Sequence, residues 1–157
     1  MTVSASRVKT LIDVATSVTL RAITAGAITA TATEASVSLY ELDKAYWDVG
    51  TEIPFGVVQV MYQITACDGT SADETYVLSL LVDDAAAMND SPVTVHSMTV
   101  PRGFTGILYA LVDAESIPLL DPDHSTNLGK FMSVRATLGG TTPSLTYGAT
   151  IVKNLKG

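Results

Sequence analysis

The chain has 157 residues, 47% hydrophobic but only 6% aromatic and 16% charged, and a formal net charge of −7. That length suits one domain with a real core, and the acidic balance argues against nucleic-acid binding by the body. The single cysteine, Cys67, excludes an intramolecular disulfide, and no apolar run approaches the roughly 18 residues of a membrane-spanning helix.

Met1 to Arg7 carries no hydrophobic signal region, which predicts folding in a cytoplasm. Val8 to Val18 suits either a turn or two of helix or an extended arm. From Thr19 to Ser38 the residues are almost all small. Thr29, Thr31 and Thr33 alternate with Ile28, Ala30 and Ala32, and β-branching at period two favours extended chain. Glu41 to Gly56 is a loop punctuated by Gly50, Pro54 and Gly56.

Four strands then follow. Val57 to Ile64 places Val58, Val60, Tyr62 and Ile64 on one face, and Thr75 to Val82 does the same for Tyr76, Leu78, Leu80 and Val82. Between them lies an acidic turn with Asp68 and Gly69. Val93 to Val100 is stopped by Pro101, and Gly106 to Val112 precedes an irregular connection from Asp113 to Leu128. Phe131 to Leu138 and Leu145 to Ile151 alternate strictly, Met132, Val134, Ala136 and Leu138 in one and Leu145, Tyr147, Ala149 and Ile151 in the other. With Gly139 to Ser144 as a turn, they read as a closing hairpin. Short strands with intervening turns and no sustained helical period predict an all-β antiparallel sandwich or barrel.

Charge is unevenly spread: residues 1–33 sum to +2, residues 34–123 to −13 and residues 124–157 to +4. Many surface positions are left to neutral Thr, Ser and Ala, a surface that can be buried against other subunits without desolvating charge. Chemistry-bearing motifs are weak. Gly129-Lys130 is followed by Phe131 and has no phosphate-loop glycine spacing. His96 and Ser97 are neighbours on one strand, so their side chains point to opposite faces and form no catalytic pair. Asp121, Asp123, His124 and Asn127 offer oxygens and a nitrogen from one loop, without the ligand spacing of a calcium loop. Asp83, Asp84 and Asp90 read as acids that end a strand, and Cys67 beside Asp68 has its thiolate disfavoured. Tyr46 and Trp47 suit a cover for the end of the sandwich better than a sugar platform. The expectation is no catalytic site, no metal and no cofactor.

Three stretches carry a resemblance. They are Leu39 to Asp43 with Trp47 to Gly50 and Phe55 to Val60; Tyr76 to Ala86; and Phe131 to Arg135 through Gly139-Gly140 to Gly148–Val152. Together they resemble the tailed-phage capsid cement or decoration proteins of the Bbp16-like jelly-roll family. The chain departs from that pattern at Asp43, where glycine is expected, and in the Ala/Thr segment before Ser36.

The resemblance implies a jelly-roll β-sandwich over 37–157 that binds the exterior of an icosahedral head as a homotrimer, over junctions between capsomers. The partners would be other copies of the chain and the major capsid protein, and the location the virion surface after assembly in the host cytoplasm. Residues 1–36 are then either a docking arm or the first strands of the sandwich. In the arm reading Arg7, Lys9 and Arg21 contact the capsid. Alternative readings are a neck, tail or fibre jelly roll, or a carbohydrate-binding module using Tyr40, Tyr46, Trp47 and Tyr109.

Overall fold

Period-two alternation is realised as two facing antiparallel sheets. The computed structural model describes residues 18–38, 57–113 and 131–152, and among these it contains strands and turns only. The strands are β1 (Val18–Arg21), β2 (Ala32–Thr33), β3 (Val37–Ser38), β4 (Val57–Cys67), β5 (Thr75–Asp83), β6 (Val93–Thr99), β7 (Gly106–Asp113), β8 (Phe131–Gly139) and β9 (Leu145–Val152). The first sheet has the order β1-β9-β4-β7; the second has β2-β8-β5-β6, with β3 also pairing with β8. The protein is an all-β antiparallel sandwich.

The faces expected from alternation are the faces observed. Val60, Tyr62 and Ile64 of β4, Tyr147, Ala149 and Ile151 of β9, and Ala110 and Val112 of β7 form one wall of the core. Tyr76, Leu78, Leu80 and Val82 of β5 oppose them with Met132, Val134 and Ala136 of β8. Each fully buried side chain of this size contributes about 1.5–3 kcal/mol by leaving water. Two long central strands in each sheet hold most of these residues.

The closing hairpin is not what forms. β8 pairs with β5, β2 and β3, whereas β9 pairs with β4 and β1, so residues 140–144 carry the chain from one sheet to the other. The reason lies at Gly140. Its φ of 104° suits glycine, and a Cβ there would come 2.7 Å from the Glu74 Cα. The backbone thus turns tightly against the start of β5 instead of folding back on β8. Ser144 then donates its N–H to the Tyr76 hydroxyl, and its carbonyl accepts from the Asp68 N–H, locking this corner to the corner between β4 and β5.

Residues 18–38 belong to the sandwich. β1 pairs with β9, β2 and β3 pair with β8, and Ile28 exchanges both backbone hydrogen bonds with Leu145. This segment therefore supplies the first strands, and the arm reading does not hold for it. Arg7, Lys9 and the rest of residues 1–17 lie outside the described residues, as do the Glu41 to Gly56 loop and the connection from Ala114 to Leu128.

Candidate functional site

Arg21 was expected on a contact surface, and its placement corrects that expectation. β1 slips by one residue against β9 between Thr19 and Arg21, so Leu20 is the extra residue of a bulge. A bulge sets two consecutive side chains on the same side. Leu20 and Arg21 both turn inward, and Arg21 keeps only 7% of its surface exposed. On the facing edge, the register of β2 and β3 against β8 also shifts by one across Glu34, Ala35 and Ser36. The Glu34 carboxylate and the Arg21 guanidinium meet there.

Arg21 Nε lies 2.9 Å from Glu34 Oε1. The Nε hydrogen has no aligned acceptor, so this contact is an ion pair held by proximity and charge and not a linear hydrogen bond. The aligned bonds run elsewhere. Nη2 donates to the Gly26 carbonyl at 2.8 Å and Nη1 to the Tyr147 carbonyl at 3.3 Å. The guanidinium carbon stands 4.7 Å from the centre of the Tyr147 ring, within cation–π range. The Tyr147 hydroxyl donates to Glu34 Oε1 at 3.0 Å. Burial, reinforced by the Glu34 carboxylate, pushes that hydroxyl's pKa far above its ordinary value. This cluster clamps the two sheets along one side of the sandwich and presents no cation to an outside partner.

The remaining candidates separate in space. The Ser97 hydroxyl lies on the outer face of the second sheet, 3.2 Å from that of Ser79, while the His96 Nδ1 is buried with no partner. They form no catalytic pair, as opposite faces of a strand require. The Asp83 carboxylate accepts backbone N–H groups from Asp84 and Asp90 at 2.7 and 2.9 Å, ordering the turn after β5. Glu74 is also turned inward, accepting from the Tyr76 hydroxyl at 3.4 Å and from Thr142 at 3.3 Å. Cys67 is buried, and burial raises its thiol pKa. No group of three metal-ligating side chains converges among the described residues. Asp121, Asp123, His124 and Asn127, like Tyr40, Tyr46 and Trp47, fall outside them.

A different feature stands out on the first sheet's outer face. Among the described residues the exposed large hydrophobics are Ile23, Val93, Ile107, Tyr109 and Leu111, and all but Val93 lie on this face. Register aligns Tyr109 of β7, Met61 of β4 and Thr150 of β9 across the sheet. Leu111, Gln59 and Val152 form the next row, and Ile107, Gln63 and Gly148 the third. Ile23 crosses Gly148 so closely that a Cβ there would come 2.9 Å from the Ile23 Cα. Across residues 59–65, 106–112 and 146–152 no residue of this face is charged.

The described charges sit elsewhere. Asp68, Asp73, Glu74 and Arg102 are at one end, Asp83, Asp84 and Asp90 follow β5, Arg135 is on the second sheet, Arg21 and Glu34 pair inside, and Asp113 ends β7. The sequence held a signal for the apolar face. Ile107 to Val112 does not alternate, being apolar on both sides, which a strand with one solvated face avoids.

Comparison of the chain with protein-family models, curated proteins and solved structures finds no match.

Proposed function

We propose that this protein is a non-enzymatic structural component of a tailed-phage virion, a cement or decoration protein that binds the head exterior as a homotrimer. The observation that carries the proposal is a two-sheet sandwich whose first sheet turns an uncharged, partly apolar face outward. On a protein of net charge −7 such a face is suited to being covered by another surface.

The topology supports the same reading. Strand orders β1-β9-β4-β7 and β2-β8-β5-β6, in which the chain changes sheet at every connection except β2–β3 and β5–β6, suit a jelly roll built from two Greek keys. The resemblance quoted above runs through β4, β5, β8 and β9. In a homotrimer over a capsomer junction, each subunit's contact with the major capsid protein is weak alone. Three joined contacts act together through effective concentration and oppose separation of the capsomers. Arg7 and Lys9 are the cations proposed to contact the capsid; Arg21 is withdrawn, because its guanidinium faces the interior.

Quantitative mass spectrometry of purified particles tests the proposal. A copy number approaching that of the major capsid protein is expected. A dozen or so copies per particle would move the protein to the neck, tail or fibre, and none would end the virion reading. A chain starting at Val18 keeps every described strand. Its binding to stripped heads, compared with that of the full chain, tests whether Arg7 and Lys9 matter.

A further inference from the structure

We infer that copies of this chain associate through the outer face of the first sheet at β7, with Ile107, Tyr109 and Leu111 at the centre of the contact. This deepens the self-association in the proposed function, and it stands whether or not the surface that the oligomer decorates is a capsid.

A sheet edge is a row of unpaired backbone donors and acceptors, which native proteins blunt with bulges, very short strands, prolines or charges turned inward. Among the described residues the sandwich has four edges. β1 carries the Leu20 bulge and the inward Arg21. β2 and β3 are two residues each, interrupted at Glu34. β6 slips by one residue against β5 between Leu80 and Leu81. β7 has none of these devices. Its register with β4 runs unbroken from Gly106 to Asp113, and from Gly106 to Val112 it contains no proline and no charge.

Tyr109, Leu111 and Ile107 are 51%, 61% and 48% exposed, on a stretch from Gly106 to Val112 that carries no charge, Asp113 standing only at the end of the strand. Nucleic acid and anionic lipid would find no cation there. Two copies of an acidic chain repel wherever their carboxylates face each other. They can approach closely only where charge is missing, and this face is that place. An identical neighbour brings a matching uncharged face and a matching regular edge.

The area sets the strength. An eight-residue strand is roughly 27 Å long and four strands span about 14 Å, so the face offers on the order of 400 Å² per copy. Shared between the neighbours in a trimer, a face of that area gives each pairwise contact less than the usual range for a specific interface. Association is therefore weak and strongly concentration-dependent.

Sedimentation velocity on the full chain, from about 1 to 500 μM, tests the inference. The wild type is expected to shift from monomer to a defined oligomer. Tyr109→Glu and Leu111→Glu should each raise the dissociation constant at least about a hundredfold, because association would strip water from an unpaired carboxylate. Val93→Glu, the same change at an exposed apolar residue away from this face, should leave it unaltered. Circular dichroism and urea midpoints identical to the wild type confirm that each variant is folded.

A wild type that stays monomeric throughout overturns the inference, as does association that survives Tyr109→Glu and Leu111→Glu. Equal loss in Val93→Glu also overturns it. The two readings fail separately. A protein absent from virions that still associates through β7 sinks only the capsid proposal, and a decorating protein indifferent to these substitutions sinks only this one.

Discussion

Arg21→Met tests the clamp between the sheets most directly. Methionine keeps most of the aliphatic reach but removes the charge, leaving the Glu34 carboxylate 2.9 Å from where the guanidinium stood. Breaking one side of a buried ion pair costs about 3–5 kcal/mol. The low end applies because the Glu34 side chain keeps 20% exposure and recovers some water. Two bonds from Arg21 to the Gly26 and Tyr147 carbonyls are also lost, but the exposed Gly26 is rehydrated. The expected loss is about 3 kcal/mol, or roughly 6–12 °C in Tm for a chain of this size. Glu34→Gln should cost about 2 kcal/mol, since Arg21 retains both carbonyls and the Tyr147 ring. The double variant should lose less than the sum by about 1–3 kcal/mol. Urea unfolding at one fixed protein concentration measures all three, which keeps oligomer linkage constant. An additive cycle, or a loss below about 0.5 kcal/mol for Arg21→Met, would show that the cluster is not a coupled clamp.

Four further outcomes are expected. Burial raises the hydroxyl pKa of Tyr62, Tyr76 and Tyr147 above the ordinary 10.0, so this stability is intact below pH 10 and drains away above it, where only the unfolded chain releases the protons. The slope approaches about 1.4 kcal/mol per pH unit for each of the Tyr62 and Tyr147 hydroxyls, so tyrosinate absorbance should rise cooperatively with unfolding; smooth titration in a folded protein would contradict it. Cys67 should react with a thiol reagent at least about a hundredfold more slowly in the native protein than in denaturant, and stoichiometric native labelling within seconds would contradict its burial. Gly140→Ala should cost at least about 2 kcal/mol in urea melts, while Gly26→Ala, with open space around it, should change stability by under about 0.5 kcal/mol. A chain starting at Val37 should fail to fold as a soluble species, because it lacks β1, β2, Leu20 and Arg21; a wild-type-like circular dichroism spectrum from it would refute the placement of residues 18–38.

Alternation revealed the inward faces of β4, β5, β8 and β9 because strand parity is a local property: once one residue faces the core, every second one does. It could not reveal partners. Phe131 to Leu138 and Leu145 to Ile151 look the same whether they pair with each other or face each other across the core. The deciding contact, Gly140 against Glu74, joins residues far apart in the chain. Arg21 was misread for a related reason. An arginine in a short polar strand is exposed by default, and only the bulge at Leu20 and the shift across Glu34 break the parity that default assumes. Alternating threonines marked the stretch around β2 as extended, but two-residue strands such as β2 and β3 carry too little pattern to name a partner or a face.

The two sides of the sandwich are built on opposite principles. Along the β1 and β2–β3 side, register shifts interrupt both edges, and Arg21 and Glu34 meet each other inside. Along the β7 side, the chain leaves a regular edge and three large apolar residues facing out, with no charge between Gly106 and Val112 to keep neighbours away. A monomer selected only for solubility gains nothing from the second arrangement, and the acidic remainder of the surface makes it costlier by repelling every encounter except the one that brings like face to like face. The asymmetry itself is the argument for assembly. One side of the fold is closed by its own ion pair, and the self-association proposed above would close the other.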